Sequence, residues 1–161
     1  MASFEATRFI QAAREDVFAY RLNVHTLPEY NPGVARVRLT WGDGGVGSRY
    51  AFPLRLGPVL RIHVQLTVVV AERSRRILFR IDALGTQAEE ECFFDSLSQG
   101  TQVRFRTSVQ PLPVGPLESL MDRLFVVPNL KRQTLGELDL MKRCIERRAP
   151  APRPRVLQDL A

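Results

Sequence analysis

Few side chains in this chain have the types and spacing that chemistry needs. The histidines are His25 and His63. His63 shares an alternating face with Arg61, Gln65 and Thr67, a solvated pattern, while His25 precedes Leu27-Pro28 in a short helical segment, where a surface position and a pocket mouth both fit. No His, Cys or carboxylate pair stands at i, i+4 with a third partner, so no metal site is expected and no cofactor is implied. Neither a G-x-S-x-G elbow nor a Ser-His-Asp arrangement is present. Gly42-Asp43-Gly44-Gly45-Val46-Gly47 satisfies G-x-G-x-x-G, but that pattern binds a dinucleotide only where a helix opens directly after it and aims its amides at pyrophosphate. Here Ser48-Arg49-Tyr50-Ala51-Phe52 follows, which reads as a strand, so the glycines mark a turn. Glu89-Glu90-Glu91 is an acidic run that reads as the start of an edge strand or a solvated face, with an acid–base role as the alternative.

A set of inward-facing aromatics is the stronger signal. Trp41, Tyr50, Phe52, Phe79 and Phe105 fall on the apolar faces of alternating segments, Met121 and Phe125 come from the long C-terminal stretch, and Thr107 is an inward polar residue on the last strand. Tyr30, Trp41 and Tyr50 each carry a polar tip that needs a partner once buried. Ordinary core and pocket lining both account for them.

The elements that must position these residues are legible from periodicity. Phe4 to Ile10 reads as a strand, followed by a helix with Glu15 and Asp16 in its first turn, where the dipole favours acids. A second short helical turn, His25 to Tyr30, closes at Asn31-Pro32-Gly33. Six strands follow, over Val34–Trp41, Ser48–Leu56, Leu60–Ala71, Ile77–Ile81, Glu89–Leu97 and Val103–Val109. Their period-two alternation predicts one dry and one wet face, hence an antiparallel sheet. Consecutive Phe93-Phe94 leaves the inward face of the fifth open. Pro116 to Arg148 then has helical spacing, with Pro128 inside it predicted to kink or split the helix. The fold class is therefore α+β: a seven-stranded curved antiparallel sheet wrapped around a long C-terminal helix, with two short helices after the first strand. Such an arrangement encloses an apolar space suited to a small molecule.

At 161 residues with 45% apolar composition the chain supports one domain, read as residues 1–148, with 149–161 a Pro/Arg-rich flexible tail. No run approaches the ~18 apolar residues that cross a bilayer, and the opening residues lack a secretory pattern, so a cytoplasmic location is expected. Cys92 and Cys144 read as free thiols, with a disulfide between them left open. The net charge of +6 is concentrated at the end: Lys142 to Ala161 holds six basic and two acidic residues, and the rest 17 and 15. That distribution argues against nucleic acid and allows weak contact of the basic C-terminal end with an anionic membrane surface. Arg36, Arg38, Arg49, Arg55, Arg61, Arg76, Arg80, Arg104 and Arg106 share the outward pattern. Their convex face serves solubility and edge protection, or docks a protein partner.

The order of elements, with Ile10-Gln11-Ala12, Val17-Phe18-Ala19-Tyr20 and Leu27-Pro28-Glu29-Tyr30-Asn31-Pro32-Gly33-Val34, resembles the START-like or SRPBCC superfamily, the helix-grip fold, in its polyketide cyclase/dehydrase-like group. The resemblance covers residues 3 to 148 and is structural; many members carry Trp where this chain has Tyr30. It implies a ligand-sized cavity lined here by Tyr30, Trp41, Tyr50, Phe52, Phe79, Phe105, Thr107, Met121 and Phe125. It implies in turn binding or transport of a hydrophobic small molecule such as a lipid, quinone or polyketide-like compound, by a monomer or homodimer. The alternative it implies is a cyclase or dehydratase, with Tyr30, Tyr50 or His25 exchanging the proton.

Overall fold

The computed structural model describes residues 2–110 and 127–148. Its seven strands are β1 (Ala2–Ile10), β2 (Arg38–Trp41), β3 (Arg49–Leu56), β4 (Leu60–Glu72), β5 (Arg76–Ala83), β6 (Thr86–Leu97) and β7 (Gly100–Val109). They form one open antiparallel sheet in the order β1-β7-β6-β5-β4-β3-β2. Hairpins join β2 through β7 in sequence, and β1 closes onto β7 over its whole length, from Ala2↔Val109 to Ile10↔Thr101. Helix α1 (Arg14–Leu22), a turn of 3-10 helix (Val24–Thr26) and α2 (Leu27–Tyr30) follow β1, and α3 (Val127–Arg148) ends the described chain. This is the α+β helix-grip architecture that the alternation predicts.

Period two sorts the faces. Along β4, Ile62, Val64, Leu66 and Val68 are buried while Arg61, His63 and Gln65 are exposed. In β6, Cys92 and Phe94 point inward, and Phe93 lies on the outer face under the Arg104 guanidinium, 4.7 Å from its ring centroid. That settles the Phe93-Phe94 ambiguity. The strand expected from Val34 begins only at Arg38. Val34 makes an isolated bridge to Leu54, whereas Arg38 pairs with Ala51 one residue out of that register, so the two pairings cannot join into one ladder. The glycine-rich segment is a turn: Gly42, Gly44 and Gly47 have positive φ, the buried Ser48 hydroxyl accepts from the Gly44 N–H at 2.8 Å, and β3 follows directly.

Helix α3 buries Leu138, Met141 and Ile145, a stripe at i, i+3 and i+7, against the sheet's inner face. Polar ties fix it. Arg8 Nε donates to Asp139 at 2.7 Å, the Gln11 N–H to Glu146 at 2.9 Å, Lys142 Nζ to the Phe9 carbonyl at 2.6 Å and Arg148 to Glu29 at 3.0 Å. Pro128 stands in the first described turn of α3. The part of the predicted helix from Pro116 to Val126, with Met121 and Phe125, lies outside the described residues, as does the proposed tail 149–161. Cys92 and Cys144 are free thiols.

Candidate functional site

A charged residue stands where the sheet should be driest. Helix α1 buries Val17, Phe18 and Arg21, one face of a helix turn, and so carries a guanidinium into the interior with the apolar stripe. Strand β6 does the same with a carboxylate: since Cys92 and Phe94 face inward, Glu90 must too. Arg21 Nη2 donates to Glu90 Oε1, and Arg21 Nη1 donates to the Tyr30 hydroxyl at 2.8 Å. The guanidinium carbon lies 4.6 Å from the Phe79 ring centroid, 5.2 Å from that of Phe105 and 5.8 Å from that of Tyr30. Arg21 thus has a counter-ion and three π faces, the environment that makes a buried cation tolerable. Burial works against its charge, yet Tyr30 and Glu90 leave it more firmly protonated than a free arginine.

The register places further groups around this pair. Across the inner face run Phe4, Thr107, Glu90, Phe79 and Val68, so Glu90 has a threonine on one side and an aromatic ring on the other. The next inward residue on β6, Cys92, holds Sγ 3.6 Å from Glu90 Oε1, and burial pushes its thiol well up, so it is an inert thiol. From α3, the half-buried Glu137 accepts from Asn31 Nδ2 at 2.9 Å and from Gln133 Nε2 at 3.3 Å. Burial, then Glu90, push its carboxyl up to about 7 against the opposing pull of Arg21. Burial likewise pushes the Tyr30 phenol up to about 12, with Arg21 opposing. Two buried atoms of this cluster have no hydrogen-bond partner among the described residues, Arg21 Nε and Thr107 Oγ1. The Tyr30 oxygen accepts from Arg21, which leaves its own proton free to be donated.

The residues read from the sequence divide clearly. Tyr30, Tyr50, Phe52, Phe79, Phe105 and Thr107 are all buried on the inner side of the sheet. Trp41 is a correction. The ladder skips Thr40, so that Leu39 opposes Tyr50 but Trp41 opposes Arg49, and the bulge turns Trp41 to the outer face, 71% exposed. His25 is exposed and meets the Tyr50 ring edge-on at 5.7 Å, away from the Arg21 cluster. Burial and Asp43 raise the Tyr50 phenol. Among the described residues, no three His, Cys, Asp or Glu side chains stand together as a metal cage, and no helix is long and apolar enough to cross a membrane.

Sequence reading missed Arg21 and Glu137, and it reached Glu90 only through the acid–base alternative for its acidic run. The signals existed: Arg21 follows Val17 and Phe18 at i+4 and i+3, and Glu90 shares parity with Cys92 and Phe94. The acidic run hid the second, because only the middle one of three glutamates faces inward. Glu89 and Glu91 pair outward with Arg80 and Arg76.

An open antiparallel sheet gripping a long helix, with one polar cluster at the centre of an aromatic interior, defines a START-like protein of the SRPBCC superfamily. The chain belongs to the polyketide cyclase / dehydrase and lipid transport family, whose model matches residues 1–146. Among solved structures it is similar to TTHA0849 from Thermus thermophilus, at 15% identity and TM-score 0.74, over 92% of this chain and 100% of that one. It is similar also to the Zhui aromatase/cyclase from Streptomyces sp. R1128, at 16% identity and TM-score 0.73, over 91% and 94%. The di-domain ARO/CYC StfQ of the steffimycin biosynthetic pathway matches at 19% identity and TM-score 0.76, over 91% of this chain and 51% of StfQ. At these identities the likeness is one of fold. No curated protein matches the chain.

Proposed function

We propose that the chain binds a hydrophobic small molecule between the sheet and its helices, with the ligand's polar end at the Arg21–Glu90–Tyr30–Glu137 cluster. The observation that carries this reading is a pair of buried atoms with no hydrogen-bond partner among the described residues, Arg21 Nε and Thr107 Oγ1. Buried polar groups are almost always satisfied, so an orphan donor and an orphan hydroxyl, each neighbouring Glu90, call for a ligand oxygen or a water. The aromatic walls Phe79, Phe105, Phe52 and Tyr50 suit a planar or extended apolar body. A lipid, quinone or polyketide-like compound has that composition, an oxygen-bearing end on a hydrocarbon frame. The family's description, covering both cyclase/dehydrase and lipid-transport members, supports the same class of molecule.

A second reading, a cyclase or dehydratase, draws on Glu137. A carboxyl at about 7 is poised to take and return a proton near neutral pH. Arg21 would hold the oxyanion that forms when a carbon next to a carbonyl loses its proton, and Tyr30 would donate to it. Of the three proton-transfer candidates read from the sequence, Tyr30 alone belongs to this cluster. Tyr50 and His25 are wall and rim in this reading.

Native mass spectrometry of the protein purified from its own host, with organic extraction of what it carries, tests the proposal. A co-purifying lipid, quinone or aromatic polyketide is the expected result, lost in Phe105→Ala and kept in Arg104→Ala. A clean apo mass, together with no uptake of an added hydrophobic fluorophore, would overturn it.

A further inference from the structure

The β3–β4 hairpin outruns its neighbour. Its ladder continues through Pro53↔His63, Leu54↔Ile62, Arg55↔Arg61 and Leu56↔Leu60, whereas β5 leaves β4 at Val64↔Ala83. Four pairs therefore extend past the end of β5, about 13 Å at ~3.3 Å per residue. Alternation makes this ribbon two-faced, with Leu54, Leu56, Leu60 and Ile62 on one side and Arg55 and Arg61 on the other. Its tip is apolar and in water: Val59 is 90% exposed, Leu60 52% and Leu56 36%. The β5–β6 turn lies at the same end of the sheet, because Ala83 is the partner of Val64. It presents Leu84, 68% exposed, at φ 52, a left-handed position that turn chemistry assigns to Asn, Asp or Gly. Leucine there serves neither the turn nor the core.

The charge beside this tip is equally unbalanced. On the β5–β7 side of the outer face, Arg76, Arg80 and Arg106 each have a glutamate within 4 Å, the longest contact being Arg106 to Glu5 at 3.8 Å. On the β2–β4 side, Arg36, Arg38, Arg55 and Arg61 have no carboxylate partner among the described residues. They line two adjoining grooves of about 370 and 310 Å³ that share Arg36 and Pro53. Arg55 and Arg61 are direct cross-strand partners, an opposition of like charges that weakens a ladder unless an anion relieves it.

We propose that this ribbon, together with Leu84, is a membrane-docking finger for an anionic bilayer. Val59, Leu60, Leu56 and Leu84 enter the boundary between headgroups and acyl chains, and Arg55 and Arg61 meet lipid phosphates, with Arg36 and Arg38 behind them. The combination selects the partner. An acidic polypeptide would use the arginines and leave the aliphatic tip in water; an apolar protein groove would take the tip and strand the arginines. A phosphate-bearing lipid surface satisfies both, and guanidinium is the side chain best shaped for phosphate. The surface differs from the basic C-terminal end as a membrane contact, and it does not depend on what the interior binds.

Co-sedimentation of the full-length protein with vesicles tests the finger. Vesicles of phosphatidylcholine are compared with vesicles of phosphatidylcholine mixed with phosphatidylglycerol. Partition onto the mixed vesicles alone is expected, falling as salt rises. Val59→Asp with Leu60→Asp lowers it by ~tenfold or more, as does Arg55→Gln with Arg61→Gln. Arg153→Gln with Arg155→Gln leaves it within ~twofold. Since Val59 and Leu60 are exposed, the tip variant keeps the wild-type melting temperature, which separates lost docking from lost folding. Failure to bind the mixed vesicles overturns the proposal. So does binding that the tip variant retains, whether the tail variant abolishes it or soluble polyglutamate competes it away.

Discussion

Arg21 lies beneath the sheet with a counter-ion, a phenol and two phenylalanine rings around it, while Arg55 and Arg61 face each other across β3–β4 with no carboxylate beside them among the described residues. The contrast follows from solvent. Taking a guanidinium out of water costs several kcal/mol, so an interior arginine persists only where partners replace its hydration. An exposed arginine keeps its hydration and needs no partner, and pairing it adds at most ~1 kcal/mol. Matched charge inside therefore speaks of what the fold must satisfy, and Arg21 Nε and Thr107 Oγ1, without partners among the described residues, are the atoms that the proposed ligand would meet. Outside, missing partners alone say little. It is the placement of like charges directly opposite one another, beside an aliphatic tip, that needs a reason.

The largest expected effect breaks the interior side of that comparison. Arg21→Met leaves Glu90 buried and uncompensated and lowers stability by about 3–5 kcal/mol, read from urea unfolding. Adding Glu90→Gln restores most of the loss, because the second change removes the unpaired charge. If the double variant is as unstable as the single one, the cost lies in packing against Phe79 and Phe105, and the ion pair is not what holds the cluster. The same Arg21 substitution should also empty the interior of any extracted ligand, which links the stability measurement to the proposed function.

The architecture was legible because it rests on period two and helical spacing, signals that water imposes on every surface strand and helix. The seven strands, the two short helices and the buried stripe Leu138, Met141, Ile145 all follow from them. Trp41 was misplaced by the same logic: one skipped residue at Thr40 reverses the face, and nothing local in Arg38-Leu39-Thr40-Trp41 announces a bulge. The polar cluster was illegible for a different reason. Composition-based reading assigns charge to the outside, so Arg21 draws no notice and Glu90 reads first as part of an edge or solvated acidic run, and only the partner 69 residues away gives either one a place inside. Glu137 depends on a third element again, through Asn31. Interior ion pairs are long-range facts, and a periodicity argument sees one element at a time.

Glu137 gives the next effect, of intermediate size. Its carboxyl is pushed up to about 7, above the value near 4.5 expected for an unfolded chain, so the folded state favours the protonated form. The contribution to stability is then fully present below about pH 4.5 and lost as pH rises through 7. Glu137→Gln keeps an acceptor for Asn31 and removes the proton, so stability between those limits becomes flat where the wild type declines, a difference of about 3 kcal/mol at most by pH 8. Asp139, held low by its Arg8 hydrogen bond, and Glu29, held low chiefly by Tyr20, act in the opposite sense. Their stabilisation is present above the ordinary carboxylate range and fades as pH falls, so the acid limb survives the substitution. A variant with an unchanged decline would show that Glu137 is solvated, and would remove the general-base reading with it.

The smallest effect sharpens the outer side. Arg61→Glu turns the opposition with Arg55 into an attraction and should raise stability by no more than ~1 kcal/mol, less in high salt. The same substitution reverses the charge beside the tip of the ribbon and should abolish partition onto phosphatidylglycerol vesicles. A surface whose arginines serve solubility alone has no such coupling, since neither property then depends on which charge faces Arg55. A fall in stability would mean that Arg61 packs along the ribbon through its aliphatic stem, and the like-charge argument would fail. Stability and docking moving in opposite directions on one exchange is the behaviour expected where a fold retains an unfavourable contact for the sake of what it touches.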